Sequence, residues 1–267
     1  MGRRGPCTIA TWTTRLTMAY QQMAYLYDQL MVDAPYAEWV NFTEKIISDS
    51  GKTISKIIDL GCGTGEITSR LAGIGYHMTG VDYSADMLTY AEHKASENNH
   101  SIKWLHQDLI TLEGLRGYDA AISYCDVINY ITSPDDLLKT FKNVADTLRD
   151  GGLFIFDVHS LYQVEENYLN QTFADVTDDA SYIWFCAEGE ERGEMFHDLT
   201  FFSRVGDKYM RFDELHHQRT YPVDFFKKLL IDAGFENLKL YADFSTKENN
   251  IDAESERIFF LAQKRSG

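Results

Sequence analysis

The sequence predicts an α/β fold, a doubly wound parallel sheet with an antiparallel β insertion after the fifth strand. Two observations carry this. Between Lys56 and His159 short apolar strands alternate with amphipathic helices, the pattern of parallel strands joined by crossover helices. After His159 come three long runs of alternating polar and apolar residues, joined by polar turns such as RVGDK at 204–208. Such runs mark an antiparallel meander.

The elements follow in order. From Tyr20 apolar residues recur at helical spacing (Met23, Ala24, Tyr27, Leu30, Met31), and a helix restarts after Pro35 with Trp39, Phe42 and Ile46 on one face. Strands are expected at KIIDL (56–60), HMTGVD (77–82), SIKWLHQD (101–108), YDAAISY (118–124) and GLFIFDV (152–158). Helices are expected near 66–74, 84–98 and 134–148. The last starts at SPDD: Ser133 caps it, Pro134 occupies the first turn, and Asp135 and Asp136 face the positive end of the helix dipole. The insertion strands are SYIWFCAEGE (181–190), EMFHDLTFFSR (194–204) and KYMRFDELHHQRTY (208–221). A helix at 223–233 and strands near NLKLYADF (237–244) and ERIFFLAQK (256–264) complete the sheet.

The main domain is therefore expected at 18–159 and 217–267, with the insertion at 160–216 covering the carboxyl ends of the strands, where ligands of such sheets sit. Residues 1–17 hold three arginines and no acid. They lack the apolar core of a secretory signal, and are expected to be a disordered leader outside the fold.

Composition bounds the partners. Acids outnumber bases 41 to 25, giving a net charge of −16 with no basic run in the body of the chain. Phosphate backbones are held by clustered Lys and Arg, so nucleic acid is disfavoured. No run approaches the ~18 apolar residues of a membrane span. Cys7, Cys62, Cys125 and Cys186 are scattered without a CxxC pair. That fits a cytoplasmic protein, monomer or homodimer, with neither a disulfide scaffold nor a metal site.

The segment IIDLGCGTGEIT (57–68) sets Gly61, Gly63 and Gly65 between the first strand and first helix, just after Asp59. Glycines let a ligand approach the backbone, and the helix start presents free N–H groups. A P-loop would need GK[ST] here, and a dinucleotide fingerprint would need its third glycine where Glu66 stands. An acid there would face a pyrophosphate, which makes an NAD-dependent oxidoreductase the weaker alternative.

An acid followed by GxGxG resembles motif I of the class I S-adenosylmethionine-dependent methyltransferases, whose sheet is Rossmann-like. Three more strand ends extend the resemblance. TGVDYS (79–84) supplies Asp82, which the resemblance assigns to the ribose hydroxyls, with Tyr83 and Met87 beside the adenine. HQDL (106–109) supplies Asp108 for the adenine amino group and the N–H of Leu109. SYCDVINY (123–130) puts Cys125, Asp126 and Asn129 beneath the methionine end, and Cys62 contributes its backbone. Over nearly all of 18–264 the chain looks like the bacterial YqeM-type methyltransferases, in whose relatives N-terminal helices close over the cofactor. That makes Tyr20, Tyr27, Tyr36 and Trp39 candidate lid residues, Tyr20 and Trp39 foremost for the cofactor.

Methyl transfer is a displacement on an already activated carbon, so alignment is the main requirement and supplies roughly 7–11 kcal/mol. A general base is needed only for a protonated acceptor. His159, in DVHS at the end of strand five, is the candidate, with Asp157 two residues before it. His197 and the pair His216–His217 lie on insertion strands, where adjacent residues point to opposite faces, so one of the pair at most lines a pocket. The strand-four end reads SYCD rather than the Asn/Asp-Pro-Pro-Tyr turn of enzymes acting on DNA bases or glutamine. Residues 160–215 hold 13 acids against 4 bases, a field that favours neutral or cationic acceptors. A small-molecule acceptor methylated on N or O is expected. RNA or protein methylation and a non-catalytic cofactor-binding protein are the alternatives.

Overall fold

The computed structural model describes residues 34–267. The leader at 1–17 and the candidate lid residues Tyr20 and Tyr27 lie outside the described residues. Helix α1 (Tyr36–Asp49) leads into a regular alternation: β1 (Lys56–Leu60), α2 (Glu66–Ile74), β2 (His77–Asp82), α3 (Ala85–Glu97) and β3 (Lys103–His106). It continues through β4 (Tyr118–Ser123), α4 (Pro134–Thr147) and β5 (Leu148–His159). Strands β6 (Thr172–Val176), β7 (Ala180–Glu188), β8 (Glu194–Val205) and β9 (Lys208–Arg219) follow, and α5 (Val223–Asp232), β10 (Phe235–Ala242) and β11 (Arg257–Lys264) end the chain.

Seven strands form one sheet in the order β10-β11-β5-β4-β1-β2-β3, and β6 to β9 form a separate four-stranded sheet. Strands β1 to β5 pair in parallel, and β11 runs antiparallel to both β5 and β10. The chain steps outward from β1 to β3 and then returns to place β4 on the other side of β1. That reversal opens a crevice at the carboxyl ends of β1 and β4.

Alternation along the strands sends side chains to two cores. Ile57, Ile122, Ile155 and Phe259 pack under α1 and α2 with Trp39, Phe42, Ile46 and Leu71. Ile58, Leu60, Phe154, Phe156 and Phe260 pack under α4 and α5 with Phe141, Val144 and Phe226. At the start of α4, Ser133 Oγ accepts the Asp136 N–H at 3.4 Å and Pro134 takes the first position. No described helix is long and apolar enough to cross a membrane.

The helix expected from Tyr20 lies outside the described residues; within them the expected elements are present with three differences. Strand three ends at His106, because Asp108 Oδ1 accepts the Ile110 N–H at 2.8 Å and bends 109–111 into a 3-10 turn. A π-helical turn at Gln163–Tyr168 was not foreseen. Nor was the edge strand β6, whose residues are mostly exposed and leave no apolar periodicity to read.

Close packing of β2 on β3 gives a first test. A Cβ at Gly80 would lie 2.4 Å from the Trp104 ring and 2.9 Å from Cys62 Sγ. Gly80→Ala is expected to lower the unfolding free energy in urea by about 1–3 kcal/mol. An unchanged midpoint would show that Trp104 does not press on this strand.

Candidate active site

The loop after β1 is built to leave one face bare. Gly61 and Gly65 are required by the protein itself: a Cβ would sit 2.4 Å from Val127 at the first and 2.6 Å from Trp104 at the second. Gly63 differs. Its φ of +53° is costly for other residues, yet nothing lies within 4 Å of where its Cβ would be. The N–H groups of Gly61 and Cys62 bond to Val81 O, which seats the loop on β2.

Two carboxyls flank that open face. Asp82 accepts the Gly63 N–H through Oδ2 and the Ser84 N–H through Oδ1, both at 2.8 Å. Asp59 accepts the Thr68 hydroxyl at 2.5 Å. Burial pushes the Asp59 carboxyl up to about 7, with a further rise from Asp82. Burial raises Asp82 as well, against the pull of its N–H bonds. Neither makes an ion pair with a lysine or arginine among the described residues, so the pair suits a cation. Cys62 is kept a neutral thiol by burial and by these two acids. Glu66, at the position where a dinucleotide fingerprint has its third glycine, pairs with Arg70 at 3.2 Å and with Lys94. Its charge is matched within the helices, which removes the argument that it repels a pyrophosphate.

Around this face, the Tyr83 side chain is largely exposed and Met87 lies half-buried in the first turn of α3. Asp108 caps its own turn while Leu109 points into the core. Asn129 lies elsewhere than expected. It is fully buried, donating to Arg219 O and accepting the His159 N–H, each at 3.0 Å, so both ends of its amide are engaged between β5 and β9. Trp39 also turns from the glycine loop: its indole donates to Asp157 Oδ2 at 2.6 Å and its ring meets Phe244 edge-on at 4.8 Å.

The end of β4 anchors a buried ionic network. Cys125 and Asp126 both have left-handed backbones, with φ of 57° and 54°, a costly conformation for non-glycine residues that persists only when surroundings impose it. Here the Asp126 N–H donates to Asp157 Oδ1 at 2.8 Å. Arg257, at the start of β11, bridges Asp157 at 3.1 Å and Asp126 at 3.3 Å. Asp126 also receives Gln218 Nε2 at 2.8 Å and lies 3.4 Å from His159 Nε2. Burial alone would raise the Asp126 carboxyl, but His159, Arg257 and Gln218 hold it well below the usual carboxylate range.

The network extends into the four-stranded sheet. Trp184 donates to His197 Nδ1 at 2.9 Å, so His197 carries its proton on Nε2 and donates to Gln218 Oε1 at 3.1 Å. His216 reaches Tyr130, whereas its neighbour His217 stacks on Phe196 and bonds Glu194 on the other face. Beside the network lies a cavity of about 510 Å³ lined by His159, Tyr168, Phe244, Asp243, Glu256 and Arg257, among others. The sequence offered His159 and Asp157 as candidates but not Arg257, Gln218 or Tyr168. The one local signal for Arg257 was a charged residue opening an otherwise apolar strand.

The chain's relatives agree with this architecture. A methyltransferase-domain family model matches residues 57–152. Over 248 residues the chain is 42% identical to the Bacillus subtilis (strain 168) protein named "Putative methyltransferase YqeM", covering 92% of this chain and 98% of that one. A Geobacillus (strain WCH70) relative is 40% identical over 92% of this chain and 100% of its own. A solved S-adenosylmethionine-dependent methyltransferase from Clostridium acetobutylicum ATCC 824 superposes with a TM-score of 0.84 at 31% identity, over 93% of this chain and 100% of that one. The sugar N-methyltransferase KedS8 from Streptoalloteichus shares the fold at 16% identity, with a TM-score of 0.75 over 91% of this chain and 93% of its own.

The chain belongs to the class I S-adenosylmethionine-dependent methyltransferases, in the YqeM-type group. S-adenosyl-L-methionine is its cofactor, and the open Gly63 face with two acids not ion-paired fits that cationic ligand.

Burial holds His197 down to about 4, against the pull of its Gln218 bond. In the unfolded chain it would titrate near ~6.5. Between these values the unfolded chain takes up a proton that the folded one resists, so acid favours unfolding. Wild type is expected to lose more melting temperature from pH 6.5 to 4.5 than His197→Gln does. Parallel curves would show that His197 is not the group responsible.

Proposed function

We propose that the protein methylates a small-molecule acceptor on nitrogen or oxygen, held in the cavity beside His159. One observation carries this. The carboxyl edge of the sheet carries the glycine loop after β1, open beside Gly63, and the 510 Å³ cavity at the ends of β5, β10 and β11. The β4 turn stands between them. Donor and acceptor held side by side, with the reacting atoms meeting at that turn, is the alignment that displacement chemistry needs. The β6–β9 sheet, which runs to Arg219 rather than ending at 216, closes the acceptor side in this proposal through Gln218 on Asp126 and His216 on Tyr130.

In this proposal Asp82 takes the ribose hydroxyls, Tyr83 and Met87 flank the adenine, and Asp108 with the Leu109 N–H reads its edge. Asp59, Cys62 and Gly63 hold the methionine end with Cys125. The cofactor supplies an electrophilic methyl group on a sulfonium sulfur. His159 orients or deprotonates the acceptor, and Asp126 fixes the ring by receiving Nε2–H, leaving Nδ1 to accept. The free thiols of Cys62, Cys125 and Cys186 support a reducing cytoplasm.

Two measurements test the proposal. Asp82→Ala removes charge-assisted hydrogen bonds of ~1.5–3 kcal/mol, so the Kd for S-adenosylhomocysteine should rise about ten- to a hundredfold. An unchanged Kd removes Asp82 from the cofactor site. With labelled cofactor, label is expected in the metabolite fraction of a cell extract. Label confined to RNA or protein would overturn the small-molecule assignment.

A further inference from the structure

The cavity beside His159 is rimmed by three exposed acids. Asp243, Glu254 and Glu256 line it, and Arg257 is the base among its walls. That arginine is already matched by Asp157 and Asp126. Asp243 Oδ1 accepts the N–H groups of Glu256 and Arg257, and Glu256 takes a long bond of 3.4 Å from Asn167. None of the three carboxylates forms an ion pair among the described residues.

Two aromatic rings complete the chamber. Tyr168 stands edge-on to His159 at 5.1 Å and to Trp184 at 5.2 Å. Phe244 is fixed against Trp39 and Phe259. Asp243 and Phe244 also share left-handed backbones, with φ of 51° and 60°. The wall facing His159 is thus held in the same costly geometry as Cys125–Asp126. Fixed ring faces beside unmatched carboxylates bind an ammonium group by cation–π and charge attraction, and repel a carboxylate ligand.

We propose that the acceptor is an amine, bound in this cavity as its ammonium ion between Tyr168, Phe244 and the three carboxylates. The inference rests on the proposed small-molecule function and narrows it. Before transfer the ammonium gives a proton to His159 Nδ1, the ring nitrogen not directed at Asp126, and Asp126 balances the imidazolium. The nitrogen lone pair then forms the N–C bond as the C–S bond breaks with its electron pair passing to sulfur. The positive charge moves from sulfur to the methylated nitrogen, and His159 returns its proton to solvent. An alcohol holds its proton far more tightly than an ammonium, so the same histidine serves an amine better.

The test uses the full chain saturated with S-adenosylhomocysteine and two calorimetric series: phenethylamine, 2-phenylethanol and phenylacetate, then hexylamine, hexanol and hexanoate. In at least one series the amine should bind ten or more times tighter than the alcohol, with the carboxylate weakest. The double variant Glu254→Gln, Glu256→Gln should lose most of that preference while keeping its affinity for S-adenosylhomocysteine. With the better amine and labelled cofactor, His159→Gln should lower kcat by about 10²–10⁴-fold at little change in KM. Amine and alcohol binding alike, or no amine binding to protein that holds S-adenosylhomocysteine, overturns the inference and leaves the proposed function standing. An unchanged kcat in His159→Gln overturns the proton transfer. Label recovered only in RNA or protein would instead sink the small-molecule assignment beneath it.

Discussion

The bridge from Arg257 to Asp157 and Asp126 is the contact on which the carboxyl edge of the sheet depends. It joins residues from β11, β5 and the β4 turn, and Trp39 of α1 seals it through Asp157. Buried charges of this kind are costly to desolvate and are maintained because each is met by others. Removing one partner strands the rest, at about 3–5 kcal/mol. What the network secures is geometric. It holds Cys125 and Asp126 in backbones they would otherwise avoid, and so fixes the partition between the glycine loop and the cavity.

The glycine loop and the β4 turn differ in how their acids are matched. On the glycine-loop side, Asp59 is buried and Asp82 half-buried, and neither is matched by any described lysine or arginine. Burial raises both carboxyls, and Asp82 adds to the rise of Asp59. In the proposed cofactor site a sulfonium ligand would offset that cost. At the β4 turn itself, Asp126 is matched by His159, Arg257 and Gln218 and stays ionised, beside the His159 ring.

The four-stranded sheet is tied to the β4 turn by hydrogen bonds. Its residues reach Asp126 through Trp184, His197 and Gln218, in a chain of hydrogen bonds whose directions are fixed by the indole donor at one end. Variation in this sheet would alter the proposed acceptor side without touching the glycine loop.

The sequence by itself determined the sheet, its insertion and the cofactor loop, because each is a local pattern. Strand–helix alternation sets the order of the elements, and glycines at 61, 63 and 65 with acids at strand ends mark the edge where they converge. It did not give side-chain partners: the Asn129 amide engages Arg219 and His159, and the Trp39 indole donates to Asp157. It also missed β6 and the turn at Gln163–Tyr168, whose residues carry little periodicity. Only the tertiary structure decided the cavity beside His159. Asp126 meets Arg257 across 131 positions of chain and Gln218 across 92. Pairings so remote leave no mark on local spacing, since they exist only once the strands that carry them lie side by side.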